Sequence, residues 1–599
     1  MKSSSADNRS NMQLTTHLLF RLLPMQIILA MIGSINSIIS GLFATNYVGT
    51  DAMAAVGVYN PINMLVYAIS TMLVGGAVIL CGMYMGRNEP EKVQNVFTLG
   101  NVLAIGTALV FAVLFVVMST GNMTGFLTDD PAIRPYFDRY LLGQAIGLAP
   151  LLLGNQFAAF LSLENKAGRT MLASVVYIIV NVILNFVFVA YLHMESFGLA
   201  LASAIGLWVY LLIQAVCFMS PASELKIISR GLSFGETGQI IKIGIPGAAS
   251  YGYQTLRGFI VNKLLLIYVG AAGLSAFTSS DNLLRIAWAL PGGMLAASRM
   301  VMSISIGEED RQTLADVMRV MFRRFLPLMS AVSALIMISG NFLAKLYYQD
   351  TTDPVYMMTV WGFRILPLCM PLSIICMHFT VYAQSSGKQV LVHLLSILDG
   401  VVCVAGFTAL LIPRMGMNSV YVANVLNGVV TTIVIVAYSI IRIRRIPKTM
   451  DELMVIPEEF GVTENERMDL SVKKIEDVEN VSVSVKEFCD SRGIDPRSSY
   501  LASLFLEEMA GNVVDHGFTK DKKNHSIDIR VVHKNDDLIL RIKDDCVPFD
   551  PAVKRELRDP SDPAKNIGIR MIYKLAEHIE YQNMLGLNVL TVRLTRSGQ

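Results

Sequence analysis

The chain has 599 residues, 53% of them hydrophobic and only 16% charged, which is too apolar for a soluble protein of this length and points to a membrane protein. The formal net charge of +2 says nothing of partners, because most acidic residues gather after Asp451. No CxxC pair occurs among the seven cysteines, so neither a zinc site nor a disulfide framework is indicated, and the absence of G-x-x-x-x-G-K-[ST] excludes a P-loop-powered pump.

The N-terminus is polar up to Gln13 and lacks a cleavable signal pattern, so the first apolar helix is expected to be retained. Apolar stretches long enough to cross a bilayer, about 20 residues each, are predicted near 18–45, 53–81, 95–120, 136–162, 171–193, 198–219, 240–269, 273–305, 318–345, 355–383, 389–412 and 417–443. Several carry an internal Pro or Gly, among them Pro24, Gly75-Gly76, Pro150, Pro246, Pro291, Pro367 and Pro371. Such breaks are tolerated where helices line a cavity, and ordinary kinking explains any one of them. Lys and Arg concentrate in alternate loops, at Arg87 and Lys92, Lys166 and Arg169, Lys226, Arg230 and Lys242, Arg311 to Arg324, and Lys388. Those loops are therefore predicted cytoplasmic, with both termini inside. Arg442, Arg444, Arg445 and Lys448 form a basic collar at the end of the last span.

The polar stretch Pro221–Pro246 separates two apolar blocks that repeat one another. Leu23-Pro24 answers to Ile245-Pro246, Tyr47-Val48-Gly49 to Tyr268-Val269-Gly270, Gly86 to Gly307, Gly121-Asn122 to Gly340-Asn341, and Gly168 to Gly387. The offset stays near ~220 residues, as in a duplicated membrane unit. The expected domains are thus 1–220 and 221–448 in the membrane, a linker at 449–465, and a further domain at 466–599. Two six-helix halves with interrupted helices suggest a secondary transporter working by alternating access.

Tyr47-Val48-Gly49, Ile241–Pro246, Gly307-Glu308-Glu309-Asp310 and Asn181–Gly206 together resemble the multidrug and toxic compound extrusion (MATE) family, over roughly Leu14 to Arg444. The resemblance implies twelve transmembrane helices in two pseudo-symmetric six-helix bundles, embedded in a bacterial inner (plasma) membrane among its lipids. It also implies export of amphipathic, often cationic, drug-like compounds in exchange for H⁺ or Na⁺. Many members carry an acidic residue late in the first membrane helix; Asn36 to Gly41, with Ser40, offers none here. In the family's cation pocket Asn181 fits the Asn, Asn185 stands where an Asp is usual, and Ser203 stands where a Thr often sits. Asn181 and Asn185 are one turn apart on one face, so they either share a ligand or join helices by hydrogen bonds. A neutral cluster cannot itself carry a titrating proton. In the second half Asp281, Arg285, Arg257, Lys263 and Asp399 fall within predicted spans, where a charge costs roughly 3 kcal/mol at the helix centre. Asp281 and Arg285, four apart, can neutralise each other. Asp399 has no local partner and is a candidate for the coupling ion or a cargo cation, against a structural hydrogen bond to a neighbouring helix.

From about Ile456 the texture changes. Ile527–Val532, Leu538–Ile542 and Asn588–Leu594 alternate as strands do, and 472–492, 497–516 and 566–579 read as helices. Glu508, Asn512 and His516 share a helix face at a spacing of four. A carboxylate and an amide in that row can activate a hydroxyl and hold Mg²⁺ beside a triphosphate, or form a plain solvated face. A strand-to-turn segment, Ile542–Pro551, and a helix start at Asn566–Arg570 follow. These three segments look like the boxes of the GHKL ATP-binding superfamily, an α/β sandwich, and are similar to its anti-sigma-factor serine kinases over Met468–Leu594. The resemblance implies ATP with Mg²⁺ as cofactor, Glu508 as general base, Asn512 as Mg²⁺ holder, Asp544 as acceptor of the adenine amino group and Gly568 in the phosphate lid. Cys546 replaces an expected glycine, and the lid keeps one clear glycine.

Two readings follow: a secondary exporter regulated by a cytosolic ATP-binding module, or a membrane-tethered protein-serine kinase that senses ligands through the transporter body. The second implies a partner resembling an anti-sigma-factor antagonist (STAS) domain. A third reading is a transporter body serving only as an anchor. Nothing in the sequence suggests nucleic acid as a partner.

Overall fold

The computed structural model describes residues 4–43, 47–48, 50–121, 123–126, 133–221, 223–228, 231–462, 466–472, 476–517, 525, 527–534, 537–547 and 578–595. The chain forms two compact units. One comprises Leu19–Glu308 and Val317–Val455; the other comprises the residues up to Leu18, Glu309–Asp316 and the chain from Ile456.

The larger unit is helical. Its first half holds α1 (Ser4–Phe43, shared with the other unit), α2 (Thr50–Arg87), α3 (Pro90–Thr120), α4 (Arg134–Leu163), α5 (Ala167–Asn185) and α6 (Glu195–Met219). Its second half holds α7 (Thr237–Tyr268), α8 (Ala271–Ala287), α9 (Ala289–Gly307), α10 (Arg311–Val320, shared with the other unit), α11 (Leu326–Ile338), α12 (Gly340–Lys345), α13 (Pro354–Ile365), α14 (Cys369–Ser385), α15 (Gln389–Ile397), α16 (Cys403–Met415) and α17 (Asn418–Ile443), with α18 (Met450–Met454) after it. Among the described residues, eleven helical stretches are long and apolar enough to cross a membrane. The remaining expected span, 240–269, coincides with α7, which is 32 residues long but is made too polar to count by Tyr251, Tyr253, Gln254, Arg257 and Lys263.

The span expected at 273–305 is two helices, broken at Trp288. Pro291 has no amide to offer the carbonyl of Ala287, so the ladder opens there. Pro367 lies in a short 3₁₀ turn, Leu366–Leu368. Wide π-turns at Phe186–Tyr191, Met321–Phe325 and Leu398–Val402 interrupt three further spans.

The halves meet along α2, which packs on α7 and α9. Glycine permits that approach. A Cβ on Gly76 would overlap the Ile240 carbonyl, one on Gly244 the Met72 carbonyl, one on Gly86 the Ile304 carbonyl, and one on Gly307 the Met83 carbonyl. These contacts all lie toward one end of the bundle, the end of Arg87 and Glu308.

The smaller unit is built on a five-stranded antiparallel sheet of order β1-β2-β3-β5-β4. The strands are β1 (Arg467–Val472), β2 (Ile527–Lys534), β3 (Asp537–Asp544), β4 (His578–Met584) and β5 (Leu587–Thr595). β1 and β4 were not expected; their mixed sequences, RMDLSV and HIEYQNM, alternate too weakly to stand out. They are the two edges, where one flank lacks a strand partner. The helix expected at 566–579 lies outside the described residues except for His578 and Ile579, which begin β4. Helices α19 (Glu476–Ser491) and α20 (Pro496–Gly517) cover one sheet face. Val481, Val485, Phe505, Leu506 and Met509 pack there on Ile529, Val531, Leu540, Ile542 and Val592.

The opposite face is charged. Alternation puts Asp469, Asp528, Arg530, Arg541 and Lys543 on it, with Asp469 opposite Arg530 and Asp528 opposite Lys543. Arg530 donates to Asp469 at 2.6 Å and to Asp310 at 2.6 Å, and Lys543 lies 3.6 Å from Asp310. Asp310 also accepts the Thr313 amide at 2.9 Å, closing the first turn of α10. Burial would raise the Asp310 carboxyl, but Arg530 and Lys543 outweigh it and hold it well below the ordinary carboxylate range.

Candidate functional site

Two groups of candidate residues stand in the two units. In the membrane bundle, Asn181 and Asn185 end α5, one turn apart, and face Ser203 of α6. Asn181 Nδ2 donates to Ser203 Oγ at 3.2 Å, and Asn185 Nδ2 donates to Asn181 Oδ1 at 3.0 Å and to its carbonyl at 2.9 Å. All three are buried, and Asn185 Oδ1 has no hydrogen-bond partner. Asp281 pairs with Arg285 through Nε and Nη2, both at 3.1 Å. Asp399, in the π-turn after α15, accepts from Asn427 Nδ2 of α17 at 2.8 Å, and its backbone carbonyl receives Arg257 Nη1 at 3.4 Å. These form three separate hydrogen-bonded groups. The side chain of Ser40 lies outside those described.

Sequence reasoning missed two residues here. Asn427 sits in a run of small and apolar residues, and its polarity alone gave no hint that it faces Asp399. Arg299, within AASRMVMS of α9, was the clearer signal, a charge inside an apolar run. Its Nε is fully shielded with no hydrogen-bond partner. Among the described residues no carboxylate forms an ion pair with it.

In the smaller unit, Glu508 and Asn512 lie one turn apart on α20, both half-buried. Asn512 Nδ2 is shielded and has no hydrogen-bond partner. Asp544 ends β3 and is 4% exposed. Its Oδ1 accepts from Asn588 Nδ2 at 2.8 Å and from the Cys546 amide at 3.0 Å. Burial pushes this carboxyl above the ordinary range, against the Asn588 and Cys546 hydrogen bonds. His516, by its side chain, and Gly568 lie outside the described residues.

Asn588 is the other residue that sequence reasoning missed. It is the β5 neighbour of Asp544 in register. It donates as well to the carbonyls of Cys546 at 3.2 Å and Val547 at 3.4 Å, and accepts from Tyr581 Oη at 2.7 Å and Asn583 Nδ2 at 2.8 Å. A polar residue in the strand run LNVLTV was its only mark. Cys546, where a glycine was expected, packs on Gly517 at the end of α20: a Cβ on Gly517 would sit 2.9 Å from both Cβ and Sγ of Cys546. The missing glycine has in effect moved across the contact. Beside it His525 Nδ1 lies 3.0 Å from Asp545 Oδ1. The donor set fits an adenine nucleotide with Mg²⁺: a carboxylate acceptor at Asp544, and an amide oxygen at Asn512 one turn from the carboxylate of Glu508.

Residues 27–187 match the MatE family model, and residues 472–594 match the model of the histidine kinase-like ATPase domain. The "Probable multidrug resistance protein NorM" of Bacillus licheniformis is 27% identical over 179 residues, 28% of this chain and 38% of that protein. The NorM protein of Streptococcus pneumoniae is 23% identical over 266 residues, 42% of this chain and 56% of that protein. The chain thus spans about half the length of the curated relatives it matches. Among solved structures, a MATE protein in the bent conformation aligns with a TM-score of 0.65 at 20% identity, covering 73% of this chain and 98% of that one. A multidrug resistance MATE family transporter of the MOP superfamily, in its outward-facing conformation, aligns at 0.64 and 20% identity, covering 70% and 94%. At such identities the likeness is one of fold.

Proposed function

From a chain that joins a MATE-family membrane body to a histidine kinase-like ATPase domain, we propose an ion-coupled exporter of amphipathic small molecules, regulated by its own ATP-binding module. The observation that carries this reading is the glycine seal. Among the described glycines, those that bring the backbone of α2 directly onto the backbone of α7 and α9 lie toward one end of the bundle, so the halves are closed there, as one end of an alternating-access transporter must be. The Lys and Arg distribution makes that end cytoplasmic, with both termini inside, in a bacterial inner membrane.

Asp399 is the proposed coupling carboxylate. Its bond to Asn427 is one that protonation or a sodium ion can exchange. The Asn181–Asn185–Ser203 cluster holds no titrating group and is assigned to helix joining and ion coordination. Full-length protein in proteoliposomes should move an amphipathic dye under an imposed proton or sodium gradient, and Asp399→Asn should lose the gradient dependence. Full retention of that dependence in the variant would refute the assignment.

In the smaller unit Asp544 would receive the adenine amino group, Asn512 would hold Mg²⁺ and Glu508 would polarise an attacking hydroxyl or water. ATP supplies a transferable phosphoryl group when bound. Asn588 holds Asp544 in place. The Glu508–Asn512 pair also favours the second reading, a protein-serine kinase acting on a STAS-like partner. Radiolabel transfer from ATP to such a partner, lost in Glu508→Ala, would support it.

A further inference from the structure

The helices that form the seal also carry a group that the seal does not explain. On α9, Gly307 rests on α2, and Ser303 meets Gly82 of α2. Arg299 is one turn further from the closed end. Its stripe, Gly292, Leu295, Ala296 and Arg299, is only half-covered, while α9 from Pro291 onward is otherwise buried. A helix buried elsewhere and half-open along one stripe walls a cleft.

Tyr251 of α7 interacts electrostatically with Arg299, and Tyr67 of α2 interacts in turn with Tyr251; both are half-covered. Counting along α2 and α7 from the contact they share, Tyr67 precedes Gly76 by nine residues and Tyr251 follows Gly244 by seven. At 1.5 Å per residue both stand roughly 10–14 Å beyond that contact. Arg299 stands about 12 Å from the separate contact of α9 at Gly307, and Tyr251 is the phenol that links it to Tyr67. Beyond Tyr67 the first half is aromatic, with Tyr59 and Tyr140 in edge contact at 5.3 Å and Tyr177 and Tyr210 at 6.2 Å.

A cation among apolar helices that no described carboxylate pairs with is expensive and marks a ligand path. The acids of the second half are engaged elsewhere: Asp281 with Arg285, Asp399 with Asn427. Guanidinium donors match an oxyanion in a planar fork, and phenol hydroxyls can add further donors.

We infer that Arg299, with Tyr251 and Tyr67, receives the oxyanion of an amphipathic organic anion, a carboxylate or phosphate on an apolar body, as the cargo. This deepens the export reading and rests on it. It departs from the expectation of cationic cargo.

The experiment uses purified full-length protein and three probes: carboxyfluorescein as soluble anion, fluorescently tagged phosphatidylglycerol as anionic lipid, and ethidium as cation. Binding is read by fluorescence anisotropy in detergent, and movement in proteoliposomes. An anionic probe should bind at least ten-fold more tightly than ethidium. Arg299→Gln should erase that preference and Arg299→Lys should keep part of it, with unchanged melting temperatures. Tyr251→Phe should weaken anion binding a few-fold. Carboxyfluorescein and the lipid decide between a soluble and a membrane source. If ethidium moves and binds while neither anion does, or if Arg299→Gln leaves anion binding intact, the inference is overturned and export stands. If an anion binds through Arg299 but nothing moves, export falls and the cargo role with it, while the anion site at Arg299 stands.

Discussion

Asp528 shows how the charged sheet face responds to pH. Burial pushes its carboxyl up to about 7, against the pull of Lys543 and Arg530, and its Oδ1 has no hydrogen-bond partner. An unfolded aspartate titrates near about 3.9. Between those values the folded state holds a proton that the unfolded state has released. Stability of the smaller unit therefore falls as pH rises from about 4 to about 7 and stays at the lower level above. Asp528→Asn should flatten that slope in urea melts across the range; a slope unchanged from wild type would exclude Asp528 as its source. Asn588 makes a second residue-level case. Removing its amide strips Asp544 of a buried partner, a loss on the order of 2 kcal/mol. Asn588→Ala should lower ATP affinity at least ten-fold by calorimetry, whereas an unchanged affinity would mean that the β3 exit holds itself. Spacing and motif context are what put Asp544 and Glu508 forward as candidates in the sequence. They did not announce Asn588 or Asn427, because a lone asparagine in an apolar run carries no periodic signal and its partner lies across a strand or helix pair.

Elements were more legible than their joints. Apolar runs of bilayer length fixed nearly every membrane helix, and alternation marked the three central strands. The break at Trp288, the π-turns and the two edge strands were not legible, since each depends on a local hydrogen-bond defect or on tertiary pairing rather than on composition. The glycines of α2, α7 and α9 were visible in sequence, but which pairs touch could not be read without register. Their role makes a prediction. Gly244→Val would drive methyls into the Met72 backbone, and overpacking of this kind costs about 1–3 kcal/mol or more. Such a variant should insert normally yet populate the sealed state less, read as increased accessibility of cysteines placed near residue 80 to a membrane-impermeant thiol reagent applied from the cytoplasmic side. No change in accessibility would show that the seal is not a gate.

At the scale of the whole molecule, the repeat near Pro221–Pro246 and the change of texture near Ile456 announced two membrane halves and a further domain. They did not announce that Glu309–Asp316 belongs with the sheet. Asp310 follows Gly307 by three residues along the chain, and Arg530 grips it at 2.6 Å. Arg530→Ala should therefore abolish any effect of ATP on transport rate while leaving transport without ATP within about two-fold; an ATP response of wild-type size would place regulation elsewhere.

The guanidinium of Arg299, which forms no ion pair among the described residues, also bears on energetics. In a cell whose interior is electrically negative, each negative charge expelled gains about 2.3 kcal/mol per 100 mV. An anion released from that arginine to the outside runs downhill in voltage before any exchanged ion is counted. A carrier of this polarity has less need of the acidic residue that the stretch around Ser40 does not provide.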